Sequence, residues 1–165
     1  MTYLERYNEW CNAGLPESVQ EELSGSDLEF GTAGMRGIMG AGTNRLNYYT
    51  VRRAAQGMAS WLSGTQLPQK AAIGYDSRHN SQLFAKACAV AFAEKGIHVH
   101  LYDRLAPTPM LSYAVRELGC GCGIVISASH NAGAYNGVKC YGPDGCQMTD
   151  EPAAIVTAEI AKIPF

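Results

Sequence analysis

Several features that would assign the 165-residue chain to a familiar functional class are missing. A membrane-spanning helix needs about eighteen consecutive apolar residues, and no stretch of this sequence is close to that length. No run of lysine and arginine is suited to follow a phosphate backbone, and the formal net charge is -2. The first ten residues, MTYLERYNEW, lack the apolar segment of a signal peptide. We therefore expect a cytoplasmic protein that binds neither membranes nor nucleic acid.

Charged side chains are scarce as well. They make up 17% of the chain, against about 25% in an average globular domain. An isolated domain needs polar surface to stay solvated, so the shortage predicts that part of the surface contacts another domain. Apolar residues, at 47%, suffice for a packed core and exclude disorder as the main state.

Cysteine patterns typical of metal sites are also absent. Cys120 and Cys122 form C-x-C, where zinc sites use C-x-x-C. Cys140 and Cys146 lack the spacing of a zinc ribbon. Because no secretory signal accompanies the six cysteines, we expect reduced thiols that act as small buried apolar residues.

Apolar periodicity predicts helices that alternate with strands. Over residues 51–62 the apolar positions follow the spacing of one helix face. Further helices are predicted to begin at the capping residues Ser81, Thr108 and Thr149. The glycine-rich residues 28–47 are predicted to form two short strands separated by turns that face a ligand.

The alternation predicts a three-layer α/β/α domain, in which helices cover both faces of a mostly parallel, mixed sheet. We expect this domain over residues 28–165, preceded by a short helical arm over residues 1–27. Ligands of such sheets bind beyond the carboxyl ends of the strands. Polar clusters follow two predicted strands, at residues 76–78 and 127–131, and these clusters are the expected site.

Ser129 lies in the second cluster, next to His130. A serine hydrolase is disfavoured because G-x-S-x-G is absent and because an adjacent histidine cannot easily reach the serine hydroxyl as a base. A serine that accepts and donates a phosphoryl group fits better, since that chemistry depends on positioned cations and backbone donors.

Two cations are candidates for this role. Arg36 lies in the glycine-rich residues 31–37, where backbone N–H groups and its guanidinium together suit phosphoryl oxygens. Lys139 follows Ser129 by ten residues, which is close enough for the next strand to return it to the same edge of the sheet.

Three segments resemble, in order and spacing, sequence regions of the α-D-phosphohexomutases, the phosphoglucomutase and phosphomannomutase superfamily. They are FGTAGMRGIMGAGTNRLN, GYDSR and SASHNAGAYNGVKCYGPDG. The first is most similar to the branch that contains bacterial phosphoglucomutases and phosphopentomutases. The chain has Ala132 where the family usually has proline, which loosens the loop without removing a reacting group.

The resemblance implies that a phosphorylated serine gives its phosphoryl group to a sugar phosphate. A bisphosphorylated sugar then forms, and the sugar 1-phosphate and 6-phosphate, or the 1- and 5-phosphates of a pentose, interconvert. Ser129 matches the family's phosphoserine, and Lys139 matches its proton-transfer lysine. His130 and Arg36 are the other expected catalytic residues. The phosphate-binding or substrate-binding positions implied by the resemblance are Thr32, Gly37, Asn131 and Asn136.

The resemblance also implies Mg²⁺ and a sugar bisphosphate as activator. No D-x-D-x-D occurs, so Ser129 is expected to contact the ion only through its phosphate, while a missing domain supplies most ligands. The expected partners are the sugar phosphate substrate and the missing domains of the same protein. We expect the chain to be the first domain of the enzyme and inactive alone. The alternative is a stand-alone module that binds a phosphate or sugar phosphate without turnover.

Overall fold

The computed structural model describes residues 26–31 and 33–164, with four further positions between residues 14 and 21. The predicted arm therefore lies almost entirely outside the described residues, and Thr32 lies outside them too. Residues 33–164 contain nine elements: β1 (Gly34–Ile38), α1 (Tyr48–Ser63), β2 (Lys70–Tyr75), α2 (Ser81–Ala93), β3 (His98–Leu101), α3 (Thr108–Glu117), β4 (Cys122–Ile126), β5 (Tyr135–Tyr141) and α4 (Asp150–Ala161). None of the helices described is long and apolar enough to cross a membrane.

A five-stranded mixed sheet, in the order β1-β5-β4-β2-β3, forms the middle layer. β2 pairs in parallel with both β3 and β4. β5 joins β4 antiparallel, and β1 joins β5 antiparallel. Helices lie on both faces, which confirms the predicted α/β/α class with a mixed sheet; the parallel pairings are confined to three of the strands.

Two apolar cores hold the layers together. On one face, α1, α2 and α4 bury side chains such as Met58 and Phe92 against Ile124 of the sheet. On the other face, α3 packs Leu111 and Val115 against the central strands. Burial of one such large side chain stabilises the fold by about 1.5–3 kcal/mol.

The start of α2 differs from the prediction by one residue. Its N-cap is Asn80, which has a φ of 63°, and Ser81 is the first helical residue. The Ser81 hydroxyl donates to the Asp76 carboxylate at 2.8 Å. The same hydroxyl accepts from the buried Asn136 side-chain amide at 2.9 Å and caps no helix amide, so the predicted cap at Ser81 was wrong.

The predictions for the other segments have mixed outcomes. The N-cap of α3 is Pro107, whose φ of -65° suits the extended cap position, so Thr108 is the first helical residue and was wrongly predicted as the cap. Thr149 does occupy the N-cap position of α4, although its side chain makes no capping hydrogen bond. Within residues 28–47, the part that the structure describes contains one strand, β1, where two were predicted; the second is reduced to an isolated bridge between Met39 and Leu46.

α1 contacts both ends of the described domain. At Gly57, a Cβ atom would lie 2.3 Å from Cγ1 of Ile160, so the absence of a side chain allows α4 to pack closely. Arg53 of the same helix donates to the Ile163 carbonyl at 2.8 Å and pairs with the Asp27 carboxylate at 2.8 Å. The segments before β1 and after α4 are thereby joined to one helix.

The cysteines that the structure describes are free thiols. Cys146 is exposed, and the other four, Cys88, Cys120, Cys122 and Cys140, are buried. Burial raises the pKa of all four, that of Cys140 to about 12. These four therefore behave as apolar core residues, as expected; Cys11 lies outside the described residues.

Thiol labelling tests this assignment. Among the five described cysteines, we expect only Cys146 to react quickly with a thiol reagent at pH 8, because the thiolate is the reacting species and burial disfavours it. Cys146→Ser should remove the fast phase, while Cys88→Ser should leave it. Mass spectrometry that finds rapid labelling of Cys122 or Cys140 in the folded protein would contradict the assignment.

Close packing at Gly57 is tested by Gly57→Ala. We expect the free energy of unfolding in urea to fall by about 1–3 kcal/mol, because the added methyl group displaces α4. Gly40→Ala is the matched control, since its Cβ would meet only the Arg45 side chain at an ordinary 3.7 Å. Equal stability of both variants would show that α4 is not packed as described.

Candidate active site

The polar residues that follow β2 and β4 meet at one edge of the sheet. The Asp76 amide donates to the Ile126 carbonyl at 3.1 Å, because the two strands are parallel neighbours. β5 runs back along β4, and the Ser127 amide donates to the Gly137 carbonyl at 2.9 Å. Both predicted polar clusters and the start of β5 therefore lie at the same edge.

Residues 127–134, here called the serine loop, present Ser129 at this edge. Ser129 is exposed, and no described residue hydrogen-bonds its hydroxyl. Its amide donates to the Ser127 hydroxyl at 3.0 Å, and the Asn131 amide donates to the Ala128 carbonyl at 3.1 Å. The turn gives Ser129 a φ of 58°, a left-handed conformation that costs a non-glycine residue about 1–3 kcal/mol. The serine hydroxyl is thus held outward by a constrained backbone.

The side chain of Arg78 donates hydrogen bonds to the backbone of the serine loop. No role was assigned to this residue from the sequence. Its Nη2 donates to the carbonyls of Ser129 and Asn131, at 3.0 and 2.6 Å. Its Nη1 donates to the carbonyls of Ala132 and Tyr135, at 3.0 and 2.9 Å. The GYDSR segment that contains Arg78 indicated that this region belongs to the site, but it did not indicate which groups the Arg78 side chain contacts.

A cleft of about 480 Å³ beside the serine loop is lined by both predicted cations, Arg36 and Lys139. In the β1–β5 ladder Arg36 is opposite Gly137 and Lys139 is opposite Gly34, so both side chains project from the same face. Arg36 also donates from Nη1 to the Asn131 side-chain oxygen at 3.1 Å. The structure therefore brings the two cations together next to the turn that carries Ser129.

The charge of this cleft is mostly uncompensated. No described carboxylate forms an ion pair with Arg36 or Lys139, although Glu29 also lines the cleft. Ser127 and Ala128, the first two residues of the serine loop, lie on the same lining. Two cations and a serine hydroxyl are groups suited to bind a phosphate.

Two other candidate residues, His130 and Asn136, differ in their exposure to solvent. His130 is exposed beside Ser129. Asn136 is fully buried, and its amide nitrogen donates to the His79 carbonyl at 3.0 Å and the Ser81 hydroxyl at 2.9 Å. Its side-chain oxygen accepts from its neighbour's amide at 2.8 Å. Asn136 therefore joins the start of β5 to the start of α2 through a buried hydrogen bond.

Gly37 also lies inside the structure. It is buried in β1, and a Cβ there would be 2.9 Å from Cδ1 of Leu28. Phosphate contact by Gly37 stays a prediction, as does that by Thr32, which is outside the described residues. The structure explains the glycine at position 37 by its close packing against Leu28.

The described residues do not form a metal site of their own. They contain no group of three or more His, Cys, Asp or Glu side chains placed to hold an ion. The Asp76 carboxylate, near the serine loop, is already engaged by Arg78 and Ser81. Metal contact by Ser129, through an attached phosphate, stays a prediction.

Comparison with known proteins gives consistent relatives. Residues 27–165 match the family model described as phosphoglucomutase/phosphomannomutase, alpha/beta/alpha domain I. The chain is 45% identical over 142 residues to a phosphoglucomutase of Staphylococcus haemolyticus, covering 86% of this chain and 26% of that protein. It is 42% identical over 155 residues to a phosphoglucomutase of Staphylococcus epidermidis, covering 94% of this chain and 28% of that protein.

Solved structures show the same architecture. A protein of Thermus thermophilus that carries the name phosphomannomutase aligns with a TM-score of 0.76 and 31% identity, over 82% of this chain and 30% of that one. A Burkholderia thailandensis protein of the phosphoglucomutase/phosphomannomutase family aligns at 0.68 and 21% identity, over 83% of this chain and 30% of that one, and supports the fold alone. The chain thus spans between 26% and 30% of the length of these relatives. Because the family match extends over nearly all the described residues, the chain belongs to the phosphoglucomutase/phosphomannomutase family, as its α/β/α domain I.

Proposed function

We propose that this chain is the serine-bearing domain of a phosphohexomutase. In the longer protein, Ser129 carries a phosphoryl group and exchanges it with a sugar phosphate. The observation that supports this most is the exposed Ser129 hydroxyl, held outward in a left-handed turn beside a cleft that contains Arg36 and Lys139. The sugar 1-phosphate and 6-phosphate, or the 1- and 5-phosphates of a pentose, interconvert through this exchange.

The exchange consists of two matched transfers. A hydroxyl oxygen of the sugar phosphate attacks the phosphorus on Ser129, the bond between phosphorus and the serine oxygen breaks, and a sugar bisphosphate forms. The sugar hydroxyl loses its proton, and the serine oxygen regains one. The reverse transfer from the other phosphate then restores phosphoserine and releases the isomerised monophosphate. A sugar bisphosphate can therefore also prime an unphosphorylated serine, which explains its expected role as activator.

Arg36 and Lys139 have separate roles in this proposal. The Arg36 guanidinium, fixed by Asn131, is suited to hold phosphoryl oxygens next to Ser129. Lys139, on the same cleft lining, takes up the proton that the sugar hydroxyl loses. His130 is exposed at the start of the turn and completes the proposed catalytic set.

Other domains of the longer protein complete the site. Mg²⁺ would neutralise the charge that develops on the transferred phosphoryl group, and Ser129 would contact it through the attached phosphate. The described residues hold no cluster of three or more His, Cys, Asp or Glu that would bind the ion by themselves. The remaining ligands and the contacts that select the sugar are assigned to the parts of the relatives that this chain does not span. We therefore propose that the chain alone does not turn over substrate. We also propose that the whole protein acts in the cytoplasm.

Phosphorylation of Ser129 tests the proposal directly. After the full-length protein is incubated with a hexose 1,6-bisphosphate, mass spectrometry should find one phosphate, on Ser129. Ser129→Ala should abolish the label, whereas Ser77→Ala, at an exposed serine on the same edge, should retain it. A label at another residue, or none, contradicts the proposal. If the chain alone is strongly stabilised against heat by a sugar phosphate, the stand-alone binding module is favoured instead.

The proposed role of Lys139 is tested by Lys139→Gln in the full-length protein. We expect kcat to fall by about 10²–10⁴-fold, the usual contribution of a positioned acid or base. Lys86→Gln, at an exposed lysine of α2, should leave kcat unchanged. A variant at position 139 with the wild-type kcat would remove Lys139 from the chemistry.

A further inference from the structure

We propose that Arg78 is a positioning residue, which fixes the serine loop so that the Ser129 hydroxyl points toward an incoming sugar phosphate. This inference rests on the proposed function of Ser129. In this inference Arg78 does not contact the substrate, and its side chain affects the reaction only by holding the backbone of the loop.

The guanidinium of Arg78 directs four of its five hydrogens to backbone carbonyls. Arginine carries five N–H donors in a planar fork. Four of them account for the bonds to the carbonyls of Ser129, Asn131, Ala132 and Tyr135. The fifth, on Nε, faces the Asp76 carboxylate at 3.4 Å. Because four donors serve the loop and the fifth faces a carboxylate, Arg78 is suited to holding the loop and not to binding the sugar.

The carbonyl positions show what Arg78 constrains. Three of the four acceptors belong to the serine loop, and Tyr135 is the first residue of β5. For these carbonyls to converge on one cation, the loop must wrap around the guanidinium. Ala132 is one of them, in the middle of the loop. The hydrogen bond from Nη1 to the Ala132 carbonyl supplies a constraint at that point.

Arg78 is itself anchored from the core side. Asp76 accepts from the Arg78 amide at 3.0 Å and from the Ser81 hydroxyl at 2.8 Å. The Ser81 hydroxyl in turn accepts from the buried Asn136 amide at 2.9 Å. The side chain of Arg78 is itself only 14% exposed. A continuous chain of hydrogen bonds therefore joins the end of β2, the start of α2 and the start of β5 beneath the loop.

This anchoring explains how Ser129 keeps its left-handed conformation. Such a backbone conformation persists in a serine only where the surroundings impose it. Without the four carbonyl contacts, the loop has other conformations available, and Ser129 keeps its left-handed conformation in only a fraction of molecules. Arg36 and Lys139 extend from β1 and β5, which the sheet pairing holds, and only Arg36 also contacts the serine loop, through the Asn131 side chain. Loss of Arg78 should therefore lower kcat much more than it raises KM.

Arg78→Lys in the full-length protein tests the inference. Lysine keeps the positive charge but offers three donors on one nitrogen, so it cannot serve four separate carbonyls. We expect kcat, and the rate at which a hexose 1,6-bisphosphate phosphorylates Ser129, to fall about 10²-fold, the scale of a misplaced reacting group. KM should stay within about threefold. Arg104→Lys, at an exposed arginine paired with Asp103, is the control and should match the wild type.

Two additional measurements separate positioning from loss of stability. Arg78→Ala should regain part of its lost rate when guanidinium is added at concentrations that do not unfold it, and methylammonium should not replace guanidinium. Gly57→Ala, which weakens the fold far from the serine loop, should keep the wild-type phosphorylation rate per folded molecule. If that variant loses rate as Arg78→Lys does, or if guanidinium restores nothing, the positioning role is overturned.

The outcomes also distinguish this inference from the proposed function. If the wild type itself acquires no phosphate on Ser129, the proposed function fails first. If the wild type is labelled and Arg78→Lys is labelled at the same rate, only the role of Arg78 fails. A rise in KM at unchanged kcat would make Arg78 a substrate-binding residue and would equally overturn the inference.

Discussion

The candidate site depends on the antiparallel pairing of β5 with β4. Because β4 and β2 are parallel, the residues that follow them emerge at one edge, and only a reversing strand can bring the chain back along the same edge. The pairing of Ile126 with Val138 fixes the length of the connecting loop. Buried Val138 and Cys140 face the core, so Lys139 must face the cleft. A register slip of one residue would exchange these faces and remove the cation from the cleft.

The local pattern of the sequence predicted much of this arrangement. Alternating strands and helices fixed the fold class, and polar residues after two buried strands identified the edge where Ser129 lies. The contacts of Arg78 were beyond such reasoning, because its four acceptors are backbone carbonyls that lie 51 to 57 positions away along the chain. A carbonyl group is present at every residue, so the sequence carries no signal for which ones converge on a guanidinium.

The wrong helix cap at Ser81 has a related cause. Local rules correctly recognised a residue able to cap a helix, but tertiary structure gave its hydroxyl to Asp76 and Asn136. The same network explains why Asn136, expected at the substrate because of the resemblance, is buried under the serine loop. Short-range propensity is overridden where a charged or buried group competes for the same hydrogen bond.

The contacts of α1 with the end of the domain set a constraint on synthesis. Arg53 and the Ile163 carbonyl are separated by 110 positions, and at cellular elongation rates of about 5–20 residues per second this corresponds to a delay on the order of 5–20 s. For an interval of this order, the surface of α1 around Gly57 lacks its cover of α4. The nascent domain therefore exposes apolar surface to chaperones until its final helix has been translated.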